Sequence, residues 1–161
     1  MAQQLVRDVM TTQVVTLKGT DTVRQATVKL AIENLSGLPV VDSKKNLIGM
    51  LGETDILELV LKYQAALNID DPSLYFLSMP MDDENIKDEK MRSAIKHISE
   101  MPVQDIMAKT LVTTSPNEKI INVVKAMIDR CVNRVPVLEK GVLVGIVSRG
   151  DIIFATYKKK V

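Results

Sequence analysis

Hydrophobic and polar positions along this chain fall into blocks that occur twice. In the second half Ile120, Val123, Val124, Met127, Ile128 and Cys131 recur at i, i+3, i+4, i+7, i+8 and i+11, one stripe of a helix. Ser115-Pro116-Asn117-Glu118 reads as its start, with Ser115 as cap, Pro116 in the first turn and Glu118 reaching back. The first half carries a weaker stripe through Val23, Ala26, Leu30 and Ala31. A short apolar run precedes each stripe, at 14–17 and 111–114, and is expected to form a strand. Two more predicted strands follow each helix, at 38–41 and 47–51 and at 135–138 and 142–147. They are joined by the turn formers Lys44-Lys45-Asn46 and Lys140-Gly141. A second helix is expected to begin near Thr54 and near Gly150.

The two blocks share wording as well as pattern. V-R-D-V-M at 6–10 returns as V-Q-D-I-M at 103–107, and L-P-V-V at 38–41 returns as V-P-V-L at 135–138. G-M-L-G-E-T-D at 49–55 returns as G-I-V-S-R-G-D at 145–151. The spacing is 97 positions before the hairpin turn and 96 after it, because the second turn is one residue shorter. A repeat of this kind predicts the order strand, helix, strand, strand, helix, twice. Neither copy alone can bury both faces of a three-stranded sheet, so the copies are expected to pack together in an α/β fold. The predicted divisions are 1–67 for the first copy, 68–102 for an insert, and 103–161 for the second copy with a basic tail. In the insert, D-D-P-S (70–73) breaks the preceding helix and M-D-D-E (81–84) reads as solvated. Ile86, Met91, Ala94, Ile95 and Ile98 then suggest a short amphipathic helix ending near Met101-Pro102. The insert reads either as a linker with one docking helix or as a lid or partner-contact element; the linker is the plainer reading.

Composition narrows the function classes. Hydrophobic residues make up 46% and aromatics only 3%, so aliphatic side chains and Met must fill the core. Lys and Arg total 21 against 20 Asp and Glu, which gives no field to gather nucleic acid or an anionic membrane. Few aromatics also argue against a base-stacking surface. Cys131 is the single cysteine and His97 the single histidine, so an internal disulfide and a Cys/His zinc cluster are excluded by count. The start M-A-Q-Q does not read as a signal peptide, and no apolar run approaches the roughly 18 residues of a membrane helix. The expectation is a soluble, cytoplasmic chain.

The ordered pair of phrases resembles the cystathionine β-synthase (CBS) domain, which occurs in tandem. The likeness runs over about 6–67 and 103–157. It implies two βαββα repeats packed as a pseudo-twofold disc, a Bateman module. Such modules commonly bind adenosine nucleotides or adenosyl ligands between the repeats, regulate another protein, and associate as homodimers. They require no cofactor, and the implied ligand is AMP, ADP or ATP, with S-adenosylmethionine as another candidate.

The same resemblance implies site residues. In the family phrase G-h-h-S/T-x-x-D (h apolar) the hydroxyl and carboxylate hold the two ribose hydroxyls. Ser148 and Asp151 match it in full, whereas Gly52 leaves only Asp55 in the first copy, a weaker second site. An ionised carboxylate can accept from both hydroxyls of a diol. Ser-x-x-Asp at a helix start is also a capping box, and from spacing alone the two roles are even. The adenine is implied to lie near Leu35, Ser36, Gly37 and Leu38, with Thr11, Thr12 and Val14 nearby; ordinary packing explains each residue taken singly. Asn133-Arg134 is the implied phosphate contact, Arg134 pairing through parallel hydrogen bonds or simply facing a helix end, and Arg149 is a second candidate cation. Glu53 stands where Arg149 does in the other copy and would repel phosphate. One competent site is therefore expected, around Asp151.

No catalytic constellation is visible, with one His and no phosphate-cradling loop. His97 reads as solvated and Cys131 as core. Two functions remain. One is a ligand-sensing regulatory module with an unnamed regulated partner. The other is a ligand-independent dimerisation or docking module, suggested by the apolar run Ile56, Leu57, Leu59, Val60 and Leu61.

Overall fold

The computed structural model describes residues 4–68 and 85–158. The stretches 70–73 and 81–84 and the tail lysines Lys159 and Lys160 lie outside the described residues. Among the described residues the order is β1 (Leu17–Lys18), α1 (Val23–Glu33), β2 (Gly37–Val41), β3 (Leu47–Gly52), α2 (Glu53–Leu67), α3 (Glu89–Glu100), α4 (Ile120–Asp129), β4 (Arg134–Glu139), β5 (Val142–Ser148) and α5 (Arg149–Lys158). The sheets are β1-β2-β3 and β4-β5.

The chain forms two compact units that do not coincide with the two repeats. The first comprises 1–16, 39–49 and 109–161, and the second 17–38 and 50–108. The reason lies in the leading segment of each repeat. Within the first unit, Thr11 and Ile146 exchange backbone hydrogen bonds of 2.9 and 3.0 Å. Within the second, Met50 and Ala108 do the same at 2.9 and 2.8 Å. Each leading segment thus pairs with a strand of the other repeat, at equivalent positions.

In the first unit Val6 sits fully buried among Ile120, Val123, Met127, Val135, Val137 and Val147. Strands β4 and β5 run antiparallel, pairing Arg134 with Ser148 and Pro136 with Ile146, until a register shift between Val137 and Leu138. Thr114 makes a parallel bridge to Val137. The strand expected at 111–114 is reduced to that one bridge. The β-branched Val112-Thr113-Thr114 run has the propensity for a strand, but a single residue finds a partner on the β4 edge. The strand expected at 14–17 likewise shifts to Leu17–Lys18, with Leu17 buried.

Helix α4 begins at Ile120, five residues after the expected cap. The carbonyls that would start a helix at Ser115 are taken. The Val6 N–H donates to the Glu118 oxygen and the Arg7 N–H to the Pro116 oxygen. Glu118 instead accepts from the Lys119 N–H and from Asn122 Nδ2 through its carboxylate. Those two bonds, the Asn122 side chain first, hold its carboxyl below the usual value. The helix ends at Asp129, so Cys131 lies beyond it, exposed, with φ of 53°. This corrects the reading of Cys131 as core. Asn34 holds the equivalent left-handed position after α1, at φ of 52°. Ile128, expected on the buried stripe, is exposed as well.

In the second unit α1 opens on a reciprocal Thr22–Gln25 box. The amphipathic helix read in the insert is present as α3, capped by Asp88. Its Met91, Ile95 and Ile98 are buried with Val23, Leu59 and Val60, so it completes this core. His97 is exposed on α3, with its ring centroid 5.5 Å from that of Tyr63. Of the apolar run on α2, Leu59 and Val60 are buried while Leu57 and Leu61 are exposed.

Candidate functional site

The β4–β5 register assembles the most distinctive polar group in the first unit. Arg134 and Ser148 are cross-strand partners at the end of the ladder, which brings their Cβ atoms to neighbouring positions. Both are half-buried. Asp151 follows in the first turn of α5. Its Oδ2 accepts the Ser148 N–H at 2.8 Å and the Ser148 hydroxyl at 2.7 Å. The Asp151 N–H in turn donates to Ser148 Oγ at 3.1 Å. The capping reading of Ser-x-x-Asp is therefore realised. All the carboxylate's bonds in this box use Oδ2, and the N-terminal end of a helix favours the negative charge.

Neighbouring groups fix this corner. The Arg149 N–H donates to the Asn133 oxygen, tying the loop before β4 to the start of α5. The Arg149 side chain reaches the Met127 oxygen at 3.3 Å, near the end of α4. It serves the last turn of that helix, where a cation is favoured. Thr11 is exposed and bridges to Ile146, two residues before Ser148; Thr12 is exposed and Val14 half-buried. Gly145 permits the approach of the Thr11 segment. A Cβ there would lie 2.7 Å from Met10 Sδ and 3.1 Å from the Thr11 oxygen. The repeated phrase draws attention to Gly145 and Ile146 in the sequence but not to this pairing, which depends on a segment more than 130 residues away.

The remaining predicted residues belong to the second unit. There the Gly52 N–H donates to Asp55 Oδ2 at 2.7 Å, and the Glu53 N–H to the Ser36 oxygen at 3.0 Å. This repeats the backbone arrangement of the other copy without its hydroxyl. Leu38 is buried, Leu35 and Gly37 are half-buried, and Ser36 is exposed. The Leu51 oxygen lies 3.3 Å from where a Cβ on Gly37 would be, so a larger residue there would press on β3.

A cleft of about 200 Å³ in the first unit is lined by Thr114, Glu118, Asn122, Ala126 and Val135 among others. None of the predicted site residues lines it, and Glu118 and Asn122 are bonded to each other there. Among the described residues no group of three or more His, Cys, Asp or Glu could hold a metal ion, and no helix is long and apolar enough to cross a membrane.

Comparison with known proteins places both repeats. The model of the CBS domain matches residues 6–62 and again 103–158. Uncharacterized protein MJ1426 of Methanocaldococcus jannaschii is 29% identical over 154 residues, spanning 94% of this chain and 90% of its own. The crystal structure of CBSX2 in complex with AMP superposes with a TM-score of 0.71 at 21% identity, over 98% of each chain. The CBS domain pair of MJ0100, in complex with 5′-methylthioadenosine and S-adenosyl-L-methionine, gives 0.66 at 19% identity, over 98% of this chain and 99% of that one. At these identities the structural likeness is one of fold.

Proposed function

The chain belongs to the CBS-domain family, matched over both of its repeats, and on that premise we propose that it is a regulatory module that binds an adenosine nucleotide or a related adenosyl ligand. The observation that carries the reading is the Arg134–Ser148 register with Asp151 one turn on. It makes Arg134 the strand neighbour of Ser148, and a cation, a hydroxyl and a carboxylate are the set that a phosphorylated ribose calls for. Asp151 Oδ1 and the second lone pair of Ser148 Oγ offer acceptors to a vicinal diol without opening the cap. Thr11, Thr12, Val14 and Asn133 belong to the same unit and are the candidates for contacts around the rest of the ligand. Support for the ligand class comes from relatives of the same fold, CBSX2 with AMP and the MJ0100 pair with 5′-methylthioadenosine and S-adenosyl-L-methionine. The first repeat, with Gly52 and Glu53, supplies a weak site or none.

Binding regulates only if the ligand prefers one arrangement of the protein over another. The proposed output is a change in packing sensed by a partner protein, with the module itself acting as a homodimer. A thermal-shift series with AMP, ADP, ATP and S-adenosylmethionine tests the reading. At about a hundred times its dissociation constant the true ligand adds about 2.7 kcal/mol of stability. The shift disappears in Asp151→Ala. No shift with any of the four, or an undiminished one in Asp151→Ala, contradicts it.

A ligand-independent docking module is the second reading. It is favoured by the exposed Leu57 and Leu61 of α2 and Ile153, Phe154 and Tyr157 of α5. Light scattering with and without nucleotide bears on both: a tight dimer indifferent to every nucleotide supports docking, and a monomer contradicts docking and the homodimer of the first reading alike.

A further inference from the structure

The groups proposed to hold the ligand are also the groups that start α5. Ser148 Oγ has one proton, which goes to Asp151 Oδ2, and one of its lone pairs takes the Asp151 N–H. The unused capacity of the pair is acceptor capacity, on Asp151 Oδ1 and Ser148 Oγ. A diol donating to both adds to the box instead of competing with it. Each bond to the ionised carboxylate is charge-assisted and fixes the group that ties Ser148 to the helix.

Helix α5 is suited to respond. Of its residues Ile152 packs on the core of the first unit, while Ile153, Phe154 and Tyr157 are 60%, 67% and 70% exposed. With so little of its surface buried, the order of its first turn depends on the box and on the Arg149 anchors. Helix α2 is the internal contrast. Its start has the Gly52–Asp55 and Glu53–Ser36 bonds but no hydroxyl in the box, while it buries Leu59 and Val60.

We propose that the Ser148–Asp151 box is a ligand-tightened latch, so that seating a diol-bearing adenosyl ligand raises the order of α5 and makes that helix the element that reports occupancy. The proposal rests on the adenosyl reading above. It differs from that reading in naming one helix, and not both equivalent helices, as the responder.

Amide hydrogen exchange on the full chain, with and without AMP, tests it, alongside calorimetry that measures binding on the same samples. The expected result is slowing of about tenfold or more in the 149–158 segment, the size of one added charge-assisted bond. The 53–67 segment keeps its rate. In Ser148→Ala, exchange in α5 is faster without ligand and AMP no longer slows it. Ser148→Thr restores the response, and circular dichroism confirms that both variants are folded. AMP that binds by calorimetry but leaves α5 exchange unchanged, or slows α2 equally, overturns the latch while the adenosyl reading stands. Absence of binding by AMP, ADP, ATP and S-adenosylmethionine alike overturns both.

Discussion

Ser148 and Gly52 occupy the same place in two copies of one phrase, and the side chain decides what the place can do. With Gly52 the backbone alone ties to Asp55. With Ser148 the carboxylate gains a hydroxyl donor and the hydroxyl accepts in return. Arg134, the cross-strand partner of Ser148, has Gly37 as its counterpart, so a cation stands at this strand position in the second copy and not in the first. Arg134→Ala is expected to weaken AMP binding about tenfold to a hundredfold, the range of a hydrogen bond to a charged group. It should leave adenosine binding nearly unchanged, and paired titrations with the nucleotide and the nucleoside check this. A separate residue-scale effect sits in the β2–β3 turn. Asp42 accepts from the Asn46 side chain and from the Lys44 and Asn46 N–H groups. These bonds, the Asn46 side chain first, lower its carboxyl from 3.8. A depressed carboxyl binds fewer protons folded than unfolded, so its stabilisation is present above the ordinary value and is lost as pH falls through the folded one. Urea midpoints measured between about pH 5 and pH 3 should therefore fall less steeply in Asp42→Asn than in the parent chain.

Among the elements, α3 was legible and the start of α4 was not. The spacing of Met91, Ile95 and Ile98 is local, and the structure buries those residues on one face. Their burial with Val23, Leu59 and Val60 makes the helix part of a core. Met91→Ala is expected to cost about 2–5 kcal/mol in urea denaturation, as for other buried large-to-small changes. A cost near zero would return α3 to the status of a docked linker. The start of α4 was misread because Ser115-Pro116-Asn117-Glu118 has every local sign of a cap, while its carbonyls are claimed by Val6 and Arg7 from the other end of the chain. A local pattern carries no trace of that competition. Cys131 was misread for a related reason: the apolar stripe continues in the sequence for two residues after the helix has ended in a left-handed turn.

At the scale of the molecule, the repeat was plain in the sequence and the exchange of leading segments was not. The paired phrases reveal the copies, and their motifs carry the family resemblance. The pairing of Thr11 with Ile146, and of Ala108 with Met50, joins positions that no periodicity links. The exchange makes the second repeat dependent on the chain's N-terminal segment. Residues 103–158 alone would lack Val6 at the centre of their core and the Thr11 bridge beside β5. The isolated repeat is expected to show little cooperative unfolding by circular dichroism, and a peptide of residues 4–16 added in trans should restore it. An isolated repeat that unfolds cooperatively without the peptide would count against this dependence.

The central claim is that one adenosyl site exists and that Asp151 belongs to it. Calorimetric titration of AMP into the full chain, Asp151→Ala and Asp55→Ala tests it most directly. The account predicts about one AMP per parent chain, loss of binding in Asp151→Ala, and binding close to the parent in Asp55→Ala. AMP binding that survives Asp151→Ala and disappears in Asp55→Ala would contradict it.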